Sequence, residues 1–138
     1  MYKVGVFPGK FLPPHRGHLN AIINAATQCE KLYVVVSDHP EVTKRACEEA
    51  GIRFMDMKLR TKWLSIELQS FDHIEVLMLS EGEILPYPDG YKDWSNLLYE
   101  TVPESFDVIF GGELIYEAQQ RIMQLKLLTK LFSLIQML

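Results

Sequence analysis

The 138-residue sequence predicts an α/β protein built on a doubly wound parallel sheet. Three observations carry that expectation. Short apolar, β-branched runs alternate with segments of helical periodicity, the pattern of strands joined by helical crossovers. The run Tyr33-Val34-Val35-Val36 has no polar alternate positions and reads as a central strand covered on both faces. Most of these runs end in glycine, proline or polar residues, so their loops gather at the strand carboxyl ends, where such sheets bind ligands.

Taken in order, residues 2–7 form a buried first strand stopped by Pro8-Gly9. Residues 18–29 carry Leu19, Ile22, Ile23 and Ala26 at the spacing of a helix with one buried face. The second strand covers 31–37. Residues 42–51 are helical and closed by Gly51, a usual helix terminator. A helix over 58–71 is expected to turn Leu59, Trp63, Leu64, Ile66 and Leu68 inward. Residues 74–79 form a third strand. A proline-containing loop over 80–91 and a helix over 94–101 follow, then a fourth strand over 107–110 ending at Gly111-Gly112. No internal repeat or linker is visible.

Composition narrows the function. A net charge of −4 argues against general nucleic-acid binding. No apolar run reaches the roughly 18–20 residues of a membrane span, and the short stretch after Lys3 is cut off too early for a signal peptide. Cys29 and Cys47 form neither a metal-type spacing nor a disulfide framework, so a cytoplasmic setting is expected. Residues 1–29 contain Lys3, Lys10 and Arg16 but no Asp or Glu. A local positive field of this kind suits a phosphorylated ligand.

The loop Gly9-Lys10-Phe11-Leu12-Pro13-Pro14-His15-Arg16-Gly17-His18 leads from a strand into a helix. Free N–H groups and the positive end of a helix favour an anion there. Gly9 and Gly17 allow close backbone approach, the two prolines stiffen the loop, and Lys10 adds a point charge. His15 and His18, three apart, can face one phosphate and donate to oxygens that gain charge in phosphoryl-group chemistry. The loop has no Gly-Lys-Ser/Thr and so is not a Walker loop. Structural capping or burial is the plainer reading of a histidine. Metal binding lacks a third ligand, and no metal site is expected.

These residues resemble the HxGH nucleotidyltransferase signature, within a Rossmann-like fold, and are most similar to the nicotinamide-nucleotide adenylyltransferase domain of NadR-type proteins. The run Pro86-Tyr87-Pro88-Asp89-Gly90-Tyr91-Lys92-Asp93-Trp94-Ser95-Asn96 resembles the second-substrate loop of the same family. The resemblance implies adenylyl transfer from ATP to nicotinamide mononucleotide, forming NAD and pyrophosphate, with Mg²⁺ bridging the phosphates. It implies an ATP site of Phe7, Pro8, Gly9, Lys10, Phe11, His15, Gly17, His18, Gly111 and Gly112, in which His15, His18 and Lys10 act in catalysis. It makes Trp94 the residue that stacks on the nicotinamide ring, helped by Tyr87 or Tyr91, an attraction of ~1–2 kcal/mol when desolvated. Core packing is the alternative role for these three. Arg60, in a segment that is also family-like, is a candidate clamp for the mononucleotide phosphate, with a solvated surface arginine as the alternative. Trp63 reads as core.

The resemblance covers residues 1–120 as one nucleotidyltransferase domain. Residues 121–138 lack the family's Ile-Ser-x-x-x-x-Arg type motif and are apolar almost all round. They read as an aberrant, truncated or frame-shifted end, with a dimerisation element as the other reading. Two further functions stand beside the first. One is another HxGH transfer, with CTP or with phosphopantetheine as acceptor. The other is a nucleotide-binding remnant without turnover.

Overall fold

Strands β1 (Tyr2–Gly9), β2 (Cys29–Asp38), β3 (Ile74–Ser80) and β4 (Val108–Ile109) form one parallel sheet in the order β3-β2-β1-β4 in the computed structural model, which describes residues 1–82 and 90–111. Helices α1 (Arg16–Ala26), α2 (Pro40–Ala50), α3 (Met57–Leu68) and α4 (Tyr91–Thr101) occupy the connections. The side chain of Tyr91, Tyr87, Gly112 and the segment 121–138 lie outside the described residues. No helix among the described residues is long and apolar enough to cross a membrane.

The sheet divides the interior in two because side chains of a strand alternate between its faces. Phe7, Leu32, Val34 and Val36 point to one face and meet Ile22, Ala25 and Ala26 of α1 and Leu64 and Leu68 of α3. Val4, Val6, Tyr33 and Val35 point to the other and meet Trp94 and Leu98 of α4. Helices on both faces make the sheet doubly wound, as expected from the unbroken apolar run of β2. The strand order reverses between β1 and β4, and a doubly wound sheet opens its ligand crevice at that reversal.

Local chemistry sets the helix ends. Asp56 caps α3, its Oδ1 accepting from the Leu59 amide at 2.8 Å. Pro40 starts α2, where a missing N–H costs nothing. Gly51 closes α2 at φ 67°, the left-handed conformation that glycine adopts without a Cβ clash.

Two expectations are corrected. Pro8 and Gly9 do not stop β1 but pair with Val35 and Val36 inside it. The Val4 and Val6 carbonyls accept from the amides of Asp107 and Phe110, so even-numbered residues of β1 bond toward β4. Pro8 is the next even position, and its missing N–H falls beyond the end of β4, where the ladder needs no donor. On α3, Trp63 and Ile66 face outward, 37% and 49% exposed, whereas Arg60 is fully buried. At ~100° per residue, Arg60, Leu64 and Leu68 share one stripe, and Ile66 lies on the opposite side of the helix.

Candidate functional site

At the carboxyl end of β1 the chain turns sharply. Phe11 has φ 52°, a left-handed conformation that costs a non-glycine residue about 1–3 kcal/mol and that clusters at functional sites. Its ring is 3% exposed, lies 6.2 Å from the Phe7 ring and meets the His18 ring edge-on at 5.0 Å. A Cβ on Gly9 would sit 2.8 Å from the Phe11 ring. Gly9 therefore admits a ring of the chain itself, and Phe7 and Phe11 support the loop from the core below it.

The spacing of the two histidines follows from helix capping. His15 is the N-cap of α1, and its Nδ1 accepts the amide of His18 at 3.3 Å. The His18 Nδ1 in turn accepts the amide of His15 at 3.2 Å. This is a reciprocal capping box with imidazoles in place of the usual Ser/Thr and Glu/Gln. The rings stack, centroids 3.6 Å apart and planes inclined by 22°. A Cβ on Gly17 would lie 2.9 Å from the His15 Cε1, so only glycine leaves room for that ring. Arg16 is exposed.

The box determines the proton positions. An Nδ1 that accepts a backbone N–H carries no proton, so each neutral ring holds its proton on Nε2. Burial, and then the neighbouring His15, push the His18 pKa below its usual value, which favours this neutral form. Two Nε2–H donors thus stand side by side at the first turn of α1. The amides of Arg16 and Gly17 there have no intrahelical acceptor. The set can hold a phosphate.

Behind the loop, Arg60 is 0% exposed. Its Nε donates to the carbonyls of Met55 (3.1 Å) and Asp56 (3.3 Å), and its Nη1 to the carbonyl of Lys10 (2.6 Å). Its Nη2 is paired with the buried carboxylate of Asp38, which also accepts from Thr43 Oγ1 at 2.8 Å. A solvated surface arginine, the alternative reading, is not what the structure has. Burial pushes the Glu81 carboxyl above its ordinary value, opposed in part by the charge of the half-buried Lys10. The Glu81 amide donates to the Asp38 carbonyl at 2.7 Å.

Trp94 is 5% exposed and belongs to the α4 core, with its Nε1 donating to Ser37 Oγ at 3.0 Å. Ser37 stands near the carboxyl end of β2, so the indole reaches the same edge of the sheet as the histidine loop. Gly111, partly buried, follows β4 on that edge. Asp38 and Glu81, at strand carboxyl ends, and Thr43 were assigned no role from sequence. The available signals were an acid ending an apolar strand and an arginine on the apolar stripe of a helix.

A model of the cytidylyltransferase-like family matches residues 6–85. The trifunctional NAD biosynthesis/regulator protein NadR of Escherichia coli (strain K12) is 28% identical over 114 residues, which cover 80% of this chain and 28% of that protein. A phosphopantetheine adenylyltransferase of Clostridium botulinum (strain Hall) is 33% identical over 99 residues, covering 71% of this chain and 59% of the other. The crystal structure of a NadR protein in complex with NAD and AMP-PNP superposes with a TM-score of 0.66 at 26% identity, over 88% of this chain and 34% of that one. A bifunctional NMN adenylyltransferase/ADP ribose pyrophosphatase from Francisella tularensis shares the fold, with a TM-score of 0.58 at 21% identity over 82% of this chain and 32% of that one. The chain therefore spans about a quarter to three fifths of the curated relatives named here.

Proposed function

The chain belongs to the cytidylyltransferase-like family, and we propose that it transfers the adenylyl group of ATP to nicotinamide mononucleotide, giving NAD and pyrophosphate. The observation that carries this reading is the histidine capping box, which leaves two Nε2–H donors together at the start of α1 beside the reversal of strand order.

In the proposed reaction an oxygen of the mononucleotide phosphate attacks the α-phosphorus of ATP in line. A new P–O bond forms, the bond between the α-phosphorus and the bridging oxygen to the β-phosphorus breaks, and pyrophosphate leaves with that electron pair. His15 and His18 donate to phosphate oxygens as charge shifts toward the leaving group. Lys10 offsets part of the same charge. No protein nucleophile is needed. Mg²⁺ enters with ATP as part of the substrate. Among the described residues no group of three or more His, Cys, Asp or Glu is gathered.

The acceptor is the finer part of the proposal. The NadR likeness and the position of Trp94 near Ser37 support nicotinamide mononucleotide. The second reading is adenylylation of phosphopantetheine, supported by the likeness to the C. botulinum enzyme and by the burial of Trp94, which leaves little ring face for stacking. Pyrophosphate release measured with ATP or CTP against each acceptor decides between them. Release with ATP and nicotinamide mononucleotide is expected. Release with phosphopantetheine alone overturns the acceptor, and ATP binding without release with any acceptor identifies a nucleotide-binding remnant.

A further inference from the structure

We infer that Arg60 is a positioning residue that sets the shape of the phosphate-binding loop from α3, by tying the Lys10 carbonyl to the Asp38 carboxylate. The inference rests on the phosphate reading of that loop. Arg60 lies 50 residues from Lys10 and 22 from Asp38, so the contact joins the ends of two strands through a third element. The guanidinium has no exposed surface, and each of its three nitrogens has a partner within the chain. It therefore reaches the ligand only through what it holds.

What it holds is the first residue of the loop. Lys10 directly precedes the strained Phe11, and the carbonyl between them is the one Arg60 grips. Asp38 is held by Thr43 Oγ1 as well, and its own carbonyl holds the amide of Glu81. The segments that leave β1, β2 and β3 are thus fastened to one buried ion pair. A planar fork with separate donors can serve Met55, Lys10 and Asp38 together. A lysine at this position keeps the charge but concentrates its donors on one atom and cannot span the three.

The test compares the wild type with Arg60→Lys, Asp38→Asn and the near-isosteric Thr43→Val. Amide hydrogen exchange over residues 10–18, the melting temperature, and calorimetric affinities for inorganic tripolyphosphate and nicotinamide mononucleotide are measured for each. Arg60→Lys is expected to speed exchange across the loop and to weaken tripolyphosphate binding about tenfold or more, the scale of one lost charge-assisted hydrogen bond. Mononucleotide affinity should stay within about twofold, well under the scale of a lost hydrogen bond to a charged group. Asp38→Asn, which leaves Arg60 in place, should show the same pattern, and Thr43→Val a weaker version that survives even where the charged variants do not fold. Loss of mononucleotide binding alone would make Arg60 a direct ligand and overturn the inference. So would loop exchange equal to that of the wild type, or exchange raised equally through the whole sheet with both ligands weakened alike. A wild type that binds no tripolyphosphate overturns the phosphate reading instead, and loop exchange still decides the role of Arg60.

Discussion

His15 and His18 each perform two tasks with opposite nitrogens. Nδ1 closes the helix end, and in the proposed reaction Nε2–H is left to donate to phosphate. Replacing His18 by alanine removes both. We expect turnover to fall by at least ~100-fold, the scale of one lost transition-state donor, and stability to fall by about 1 kcal/mol from the lost cap. Steady-state kinetics beside chemical denaturation checks the pair, and unchanged turnover would remove the histidines from the chemistry. Trp94 also has two sides, a core ring and a polar N–H on Ser37. Trp94→Leu should raise the KM for nicotinamide mononucleotide while ATP affinity holds. If the two affinities fall together, the ring serves packing alone.

Gly51 shows what a single backbone position contributes to an element. It has φ 67° with nothing within 4 Å of where a Cβ would stand, so the cost of alanine there is conformational rather than steric. Gly51→Ala should destabilise the fold by about 1 kcal/mol, read from the denaturant midpoint, and Gly51→Asn by less. That terminator was legible in the sequence, as was the order of strands and helices, because apolar runs and their periodicity report burial directly. The histidine loop was legible as a candidate site because two histidines and two glycines crowd one strand-to-helix turn. The roles of those glycines were not. Gly9 and Gly17 make room for Phe11 and His15, and a clash with the chain's own rings exists only after folding. The burial of Arg60 was not legible, for a related reason. Charge predicts exposure for an arginine, and the buried Asp38 that reverses the expectation is 22 residues away. Trp63 and Ile66 were misread because their apolarity was weighed without their angle around α3.

Across the whole molecule, Tyr33 of β2 donates to the Glu104 carboxylate, 71 residues later, and joins the sheet to the segment after α4. Burial, and then this bond and the carboxylate's charge, push the Tyr33 pKa up to about 12. The folded state keeps the proton more tightly than the unfolded chain, whose value is near 10.0. This contribution to stability is therefore complete below pH ~10 and is lost as pH rises from ~10 toward ~12. Tyr33→Phe should flatten that part of the alkaline unfolding profile, and an unaltered slope would remove the bond from the balance. The node at Arg60 has a different, kinetic consequence. Three loop ends fastened to one buried ion pair leave the ligand little to rearrange on arrival. Encounter then sets the pace, as it does for a receptor already in its bound shape. In stopped-flow mixing with excess tripolyphosphate, the observed rate should climb in proportion to concentration as a single exponential. A plateau would reveal a slow isomerisation of the loop, and in the wild type none is expected. In Arg60→Lys, where the loop must first find its shape, the plateau should emerge.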